Sequence, residues 1–421
     1  MRFFYTILTL LLLLPDSLPA KEQLSSDPLL ESARKGDTHS QLLLADAFFF
    51  GKGGRKINPS LAAYWFRKAA DSGSAQAQYN LGVCLEHGWG IQRSLLSAYD
   101  CYTKAAEQKL TRAVIRRAQL LYSGIPDEQA GKIKIPGLQR SPEQALNLLR
   151  KENSPEAYHA LAVLLLKDTA NLKQNAVEIR SLLEKAVSTP EVQTETLLHL
   201  ATVLQNGIGG APDQKRAADL LETAAERKHP AGMTRYGKLL EHGFGRKPNP
   251  DQAIRLYKEA AEKGDPESMF ELARNLKSGF HTQTDLKNAF KFFRRSAERG
   301  YPSAFAAAGD CFRYGYGTSP SPDKAFEYYI RGARLGEAEA QFKTGECFRL
   351  AIGVPEDPEG AVFWYRKSAE NGNPAALRRL AISLLTGYGI KKDITSGTNM
   401  LKKAAERGDR EAEKLLIQWS N

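Results

Sequence analysis

"KAAERGD", Lys403–Asp409, stands near the end of the chain, and close copies precede it. They are KAADSGS at 68–74, EAAEKGD at 259–265, RSAERGY at 295–301 and KSAENGN at 367–373. The stretch is either a recurring site of chemistry or the punctuation of a fold. Its residue types decide between the two. Paired alanines let two helix backbones approach closely. Glycine takes the left-handed conformation that ends a helix, and aspartate caps the next one. Helix-stop chemistry alone accounts for every position.

The spacing agrees. The last alanine of each copy falls at 225, 261, 297, 333, 369 and 405, a step of 36 throughout, and Ala70 and Ala106 are separated by the same step. A second marker runs in the same register: Gly237, Ala273, Gly309, Gly345 and Ala381. A third is Gly243, Gly279, Gly315 and Gly387, with Ala351 as the departure. A fixed period of this length is the mark of a stacked array. Each unit reads as two helices. In residues 229–264, Leu239 and Leu240 continue the apolar stripe of a first helix, and Gly243 stops it. Asn249 or Asp251 caps a second helix, with Pro250 near its first position, and Gly264 ends that helix.

These units resemble the Sel1-like repeat family, a relative of tetratricopeptide arrays. AQYNLGVCLEHGWGI (77–91) with AYDCYTKAAE (98–107) carries the likeness, as does AQFKTGECFRLAIGV (340–354) with AVFWYRKSAENG (361–372). The resemblance implies an all-α fold, an α/α solenoid of about ten stacked helix pairs, and an adaptor or scaffold role. The expected organisation is one array over 21–421. Regular repeats fill 37–110 after a half-repeat cap, LLESARKGD, and degenerate repeats fill 111–224 with an irregular insert at 123–142. Regular repeats resume over 225–409, and a cap helix follows at 410–421.

Before the array, FFYTILTLLLLLP (3–15) follows Arg2 and is too short to span a bilayer comfortably. It reads as a signal peptide over 1–20, cleaved near Ala20, although Leu18 is an imperfect residue two positions earlier. An uncleaved anchor is the other reading, and no later segment looks transmembrane. The implied compartment is extracellular or periplasmic, with a eukaryotic secretory lumen as the alternative. The net charge of +11 favours acidic or envelope-associated protein partners. No dense basic run with interleaved aromatics suggests nucleic acid.

Enzyme motifs are not found. The seven histidines are scattered along the repeats, without HExxH or cysteine pairs at zinc spacing. There is no GxSxG elbow, and GKGG (51–54) lacks phosphate-loop spacing. We therefore expect no catalytic residue, no metal and no cofactor. Four cysteines are too few for a disulfide framework. Cys84 and Cys101 would face each other within one helix pair and form the candidate disulfide. The other reading makes all four cysteines small buried apolar residues.

The first helices offer the candidate site, since the resemblance places them on the concave side. With the marker as zero, the core face falls at −5, −1 and +3, and the exposed stripe at −2, +1 and +5, with +4 beside it. Positions −2 and +4 supply Arg235, Lys277, Arg313, Lys343, Arg349 and Arg379, with Tyr314 alongside. This mostly basic ladder is either a partner-binding groove or an ordinary solvated face. The function expected is a non-enzymatic interaction scaffold. A secreted regulator or effector acting on a sensor or host protein is the alternative, and a cell-wall-modifying enzyme the least supported reading.

Overall fold

The structure, a computed structural model, describes residues 27–130, 133–135, 137–189 and 192–419. The expected signal peptide at 1–20 lies outside them. The chain divides into two compact units, Met1–Pro212 and Asp213–Asn421. Both are built from helix hairpins stacked side by side, the expected α/α solenoid arrangement.

The first unit begins with the short helix Pro28–Arg34. Four hairpins follow: Thr38–Phe50 with Pro59–Asp71, Ala75–His87 with Leu95–Glu107, Thr111–Ser123 with Pro142–Arg150, and Pro155–Lys167 with Leu172–Val187. Thr194–Gln205 completes it. In the second unit, Gln214–Glu226 precedes five hairpins. These are Pro230–His242 with Pro250–Glu262, Pro266–Ser278 with Leu286–Glu298, Pro302–Tyr314 with Pro322–Arg334, Ala338–Leu350 with Pro358–Glu370, and Pro374–Thr386 with Ile394–Glu406. Arg410–Trp419 follows them, where the cap helix is expected.

KAAERGD behaves as its residue types require. The helix Ile394–Glu406 stops there, and Gly408 adopts φ +86°. The Gly408 N–H donates to the Ala405 carbonyl at 2.8 Å, and the Asp409 N–H to the Ala404 carbonyl at 3.1 Å. These bonds satisfy carbonyls that a helix end leaves orphaned. The Asp409 carboxylate then accepts from the Glu411 and Ala412 N–H groups, both at 3.1 Å, and starts the next helix. Two degenerate copies put lysine at the left-handed position: Lys109 at φ 62° and Lys228 at φ 58°. A residue with a Cβ there costs about 1 kcal/mol relative to glycine.

The marker residue has a separate task inside each hairpin. Gly82, Gly237, Gly309 and Gly345 lie against the rings of Tyr102, Tyr257, Tyr329 and Tyr365 on the second helices. A Cβ at these glycines would meet the ring carbon Cε1 at 2.6, 2.8, 2.4 and 2.6 Å. All four tyrosines are fully buried. Where the marker is alanine, the residue twenty positions on is smaller or lacks the hydroxyl. Ala273 is matched by Phe293 and Ala381 by Leu401, each pair within one core cluster. The paired choices keep the hairpin core filled without overlap.

The insert is not wholly irregular. Glu128–Ala130 (β1) pairs antiparallel with Ile133–Ile135 (β2), and an isolated bridge joins Ile125 and Leu138. The alternating Ile-Lys-Ile of β2 suits a strand better than a helix. Asp127 steadies the base of the hairpin by accepting the Gly137 N–H at 2.9 Å.

Gly309→Ala should destabilise the second unit by about 2 kcal/mol through overpacking against Tyr329. Adding Tyr329→Leu should recover part of the loss, because it recreates the Ala381–Leu401 combination. Urea unfolding of the single and double variants checks this, and equal destabilisation by both would contradict the packing account.

Candidate binding surface on the first helices

The buried tyrosines carry hydroxyls that need partners. Tyr102 donates to Glu86 Oε2 at 2.8 Å, Tyr257 to Glu241 Oε2 at 2.8 Å and Tyr329 to Asp310 Oδ1 at 2.7 Å. Tyr365 donates to Glu346. Each carboxylate sits on the first helix of its own hairpin and also meets a cation from the following first helix. Arg116 pairs with Glu86. Arg274 Nη2 donates to Glu241 Oε1 at 2.7 Å, and Lys343 Nζ lies 3.0 Å from Asp310 Oδ1. Arg379 Nη2 donates to Glu346 Oε2 at 3.2 Å, and Arg349 shares the same oxygen at 2.8 Å. Ring, carboxylate and cation thus form a relay that crosses each of these repeat junctions.

The electrostatics follow from the geometry. Burial alone would raise the Glu86, Glu241 and Glu346 pKa values. Tyrosine hydrogen bonds and arginine partners outweigh it and hold all three below the usual glutamate value of 4.5. The partner tyrosines are pushed far above their ordinary range, by burial and then by the adjacent carboxylate.

This arrangement changes the reading of the basic ladder. The core stripe falls where expected: Ala304, Ala308 and Phe312 are buried around Gly309. The −2 stripe, expected to be exposed, is partly sunk between neighbouring first helices. The Lys343 side chain is only 17% exposed and pairs with Asp310 and Glu339. Arg349 and Arg379 both serve Glu346. Arg235 is half-buried, and burial depresses its pKa against the opposing charge of Glu267. Lys277, Arg313 and Tyr314 are placed differently. Lys277 Nζ lies 4.7 Å from the Tyr316 ring centroid, Arg313 lies 5.1 Å from that of Tyr314, and Tyr314 is 52% exposed. Neutralisation thins the ladder and leaves its cation–aromatic portion at Lys277–Tyr316.

The aspartate of the opening stretch has a second task. Arg378 Nε donates to Asp409 at 2.9 Å, so the cap of one first helix anchors the helix before it. Asp265 does the same with the Thr234 hydroxyl at 2.8 Å. A period of 36 residues aligns equivalent positions but does not say which side chains meet.

The candidate disulfide is not formed. Cys84 and Cys101 are free thiols, as are Cys311 and Cys347. Across the hairpin, the marker glycine Gly82 meets Tyr102, the residue next to Cys101. Burial raises Cys84 and Cys101 to about 12 and Cys311 and Cys347 to about 11. These are inert core thiols. Sequence spacing also hid one histidine contact: His159 Nε2 and His199 Nδ1 lie 2.9 Å apart on neighbouring first helices. Burial, then the His199 charge, lowers the His159 pKa to about 4, so His159 is neutral at physiological pH. Among the described residues, no three His, Cys, Asp or Glu side chains converge as a metal site. Among the same residues, no helix is long and apolar enough to cross a membrane.

Geometry and period together define a Sel1-type helical-repeat protein. Eight stretches match the Sel1 repeat: 38–74, 75–110, 195–229, 230–265, 266–301, 302–337, 338–373 and 374–409. The chain belongs to the Sel1 repeat family, whose members generally mediate protein–protein interaction and are generally non-catalytic. It is 31% identical over 205 residues to DAP3-binding cell death enhancer 1 of Mus musculus, across 47% of this chain and 37% of that protein. The match therefore spans little more than a third of the mouse protein's length. Among solved structures, the chain resembles a protective antigen present in uropathogenic Escherichia coli strains that displays an SLR fold. The TM-score is 0.56 and the identity 23%, over 93% of this chain and 82% of that one. It also resembles a Sel1 repeat protein of Oxalobacter formigenes, with a TM-score of 0.52 and 26% identity, over 57% of this chain and 97% of that one.

Two expectations follow from the relay. The depressed carboxylates contribute stability that is full above the unfolded value of 4.5 and is lost as pH falls through their lower folded values. Thermal melts should be nearly flat from pH 7 to about 5.5 and fall steeply below about 4.5. Charge reversal should also separate the ladder residues. Arg379→Glu sets a like charge against the nearly buried Glu346 and should cost about 2 kcal/mol. Arg313→Glu, which breaks no ion pair, should change stability by about 0.5 kcal/mol or less. Equal melting shifts for the two variants would contradict this division.

Proposed function

We propose that the protein is an exported, non-enzymatic scaffold that binds partner proteins across its first-helix surface. One observation carries the reading. The stacked hairpins spend their polar chemistry on holding neighbours together, while variable side chains remain at the first-helix ends. Family membership supports partner binding. So does the mouse relative, whose name records binding of another protein. The apolar segment 3–15 behind Arg2 supports export, with the mature chain beginning after Ala20 in an extracellular or periplasmic compartment.

Affinity capture tests this with the tagged full chain expressed in its source cells, followed by N-terminal sequencing of the exported product. The expected result is a mature N-terminus near residue 21, together with protein partners retained by the wild type and reduced by Arg313→Glu. An uncleaved cytoplasmic product would overturn the export reading. Equal recovery with both proteins would overturn the surface assignment.

A further inference from the structure

The second unit neutralises most of its first-helix cations. Lys238 and Arg274 meet Glu271, Lys343 meets Asp310, Arg349 and Arg379 meet Glu346, and Arg378 meets Asp409. Lys277 and Arg313 break this pattern. Among the described residues neither has a carboxylate partner, and each lies over a tyrosine ring instead. Those rings touch: the Tyr314 and Tyr316 centroids are 5.6 Å apart. Lys277, Tyr316, Tyr314 and Arg313 therefore form one contiguous patch contributed by two adjacent repeats. Tyr316 is anchored against the hydrophobic core, whereas Tyr314 is half exposed. Phe280, three residues beyond Lys277, is 55% exposed.

Both cations stand in the last turn of a first helix, where positive charge offsets the helix macrodipole. That accounts for their sign but not for the exposed rings beside them. Solvent-facing aromatics next to uncompensated cations present two complementary features. The cations offer charge-assisted hydrogen bonds to a carboxylate, and the rings offer flat apolar area for a neighbouring side chain. The chain's net charge of +11 attracts acidic segments toward such a patch.

We propose that this patch is a docking site for an extended acidic peptide of a partner protein. Its carboxylate is held between Lys277 and Arg313, and an adjacent aromatic or aliphatic residue rests on Tyr314. The proposal rests on the scaffold reading above and specifies the chemistry of the partner. The rings select against a purely electrostatic ligand, and the cations against a purely apolar one.

Selection from a phage-displayed random twelve-residue peptide library on the immobilised full chain tests this. The enriched peptides should place Asp or Glu beside Phe, Trp, Tyr or Leu. A fluorescein-labelled peptide from that set should bind the wild type with an affinity that falls as salt rises. Lys277→Glu/Arg313→Glu should weaken it about tenfold or more, as should Tyr314→Ala, while Arg255→Glu on a second helix leaves it unchanged. Melting curves should show the double variant and Tyr314→Ala folded, because neither removes an ion pair found among the described residues. Enrichment without acidic residues, equal binding by the charge-reversed variant, or no enrichment at all would overturn the proposal. So would salt-dependent binding only to anionic lipid vesicles or to single-stranded nucleic acid. If peptides bind elsewhere on the chain, the docking site fails while the scaffold reading stands. If cellular capture yields no partner, the scaffold reading itself fails.

Discussion

A tyrosine ring packed against a glycine, with its hydroxyl held by a carboxylate, is the contact on which four of the regular repeats depend. The glycine lets the two helices of a hairpin approach until the ring fills the space between them, as at Gly309 and Tyr329. The approach buries a phenol, and a buried phenol needs an acceptor. Asp310 meets that need, and a buried carboxylate in turn needs a cation, which Lys343 of the next repeat supplies. One packing choice inside a hairpin thus propagates into a polar tie between hairpins. Repeat proteins gain cooperativity from such nearest-neighbour interfaces.

The same logic governs the charges on the first helices. Their cations are largely structural, since each is directed to a carboxylate that the hairpin core has already fixed. This makes the exceptions informative. A residue such as Arg313 sits at the repeat position that Arg349 holds 36 residues later. Arg349 has a glutamate three residues before it, whereas Arg313 has Asp310, which Tyr329 and Lys343 already occupy. A carboxylate one methylene shorter, claimed by other partners, leaves Arg313 to its aromatic neighbour.

The degenerate repeats of the first unit show what happens when the relay is absent. At the junction between Pro155–Lys167 and Thr194–Gln205, two imidazoles meet in place of a carboxylate and a cation. They are accompanied by leucine- and alanine-rich faces, with Leu161, Leu165, Leu200 and Leu204 fully buried. Apolar packing there carries more of the stacking, and a hydrogen bond between imidazoles replaces the ion pair.

The sequence by itself determined the architecture. The 36-residue step, the paired alanines, the left-handed glycine and the capping aspartate are local signals, and each acts within a few residues of its own position. Helix ends, hairpin order and the core stripe around Gly309 were therefore legible before any coordinates. The tertiary structure decided which of the ladder's seven residues are drawn into ion pairs and which lie against aromatic rings instead. Arg379 and Glu346 lie 33 residues apart, and their meeting depends on how far each side chain reaches across a packed junction. It likewise decided that Cys84 and Cys101 stay unbridged, that part of the insert pairs as strands, and that His159 finds His199. Those outcomes depend on side-chain direction and on competition for shared partners. A linear pattern of residue types does not encode either until the helices have been stacked.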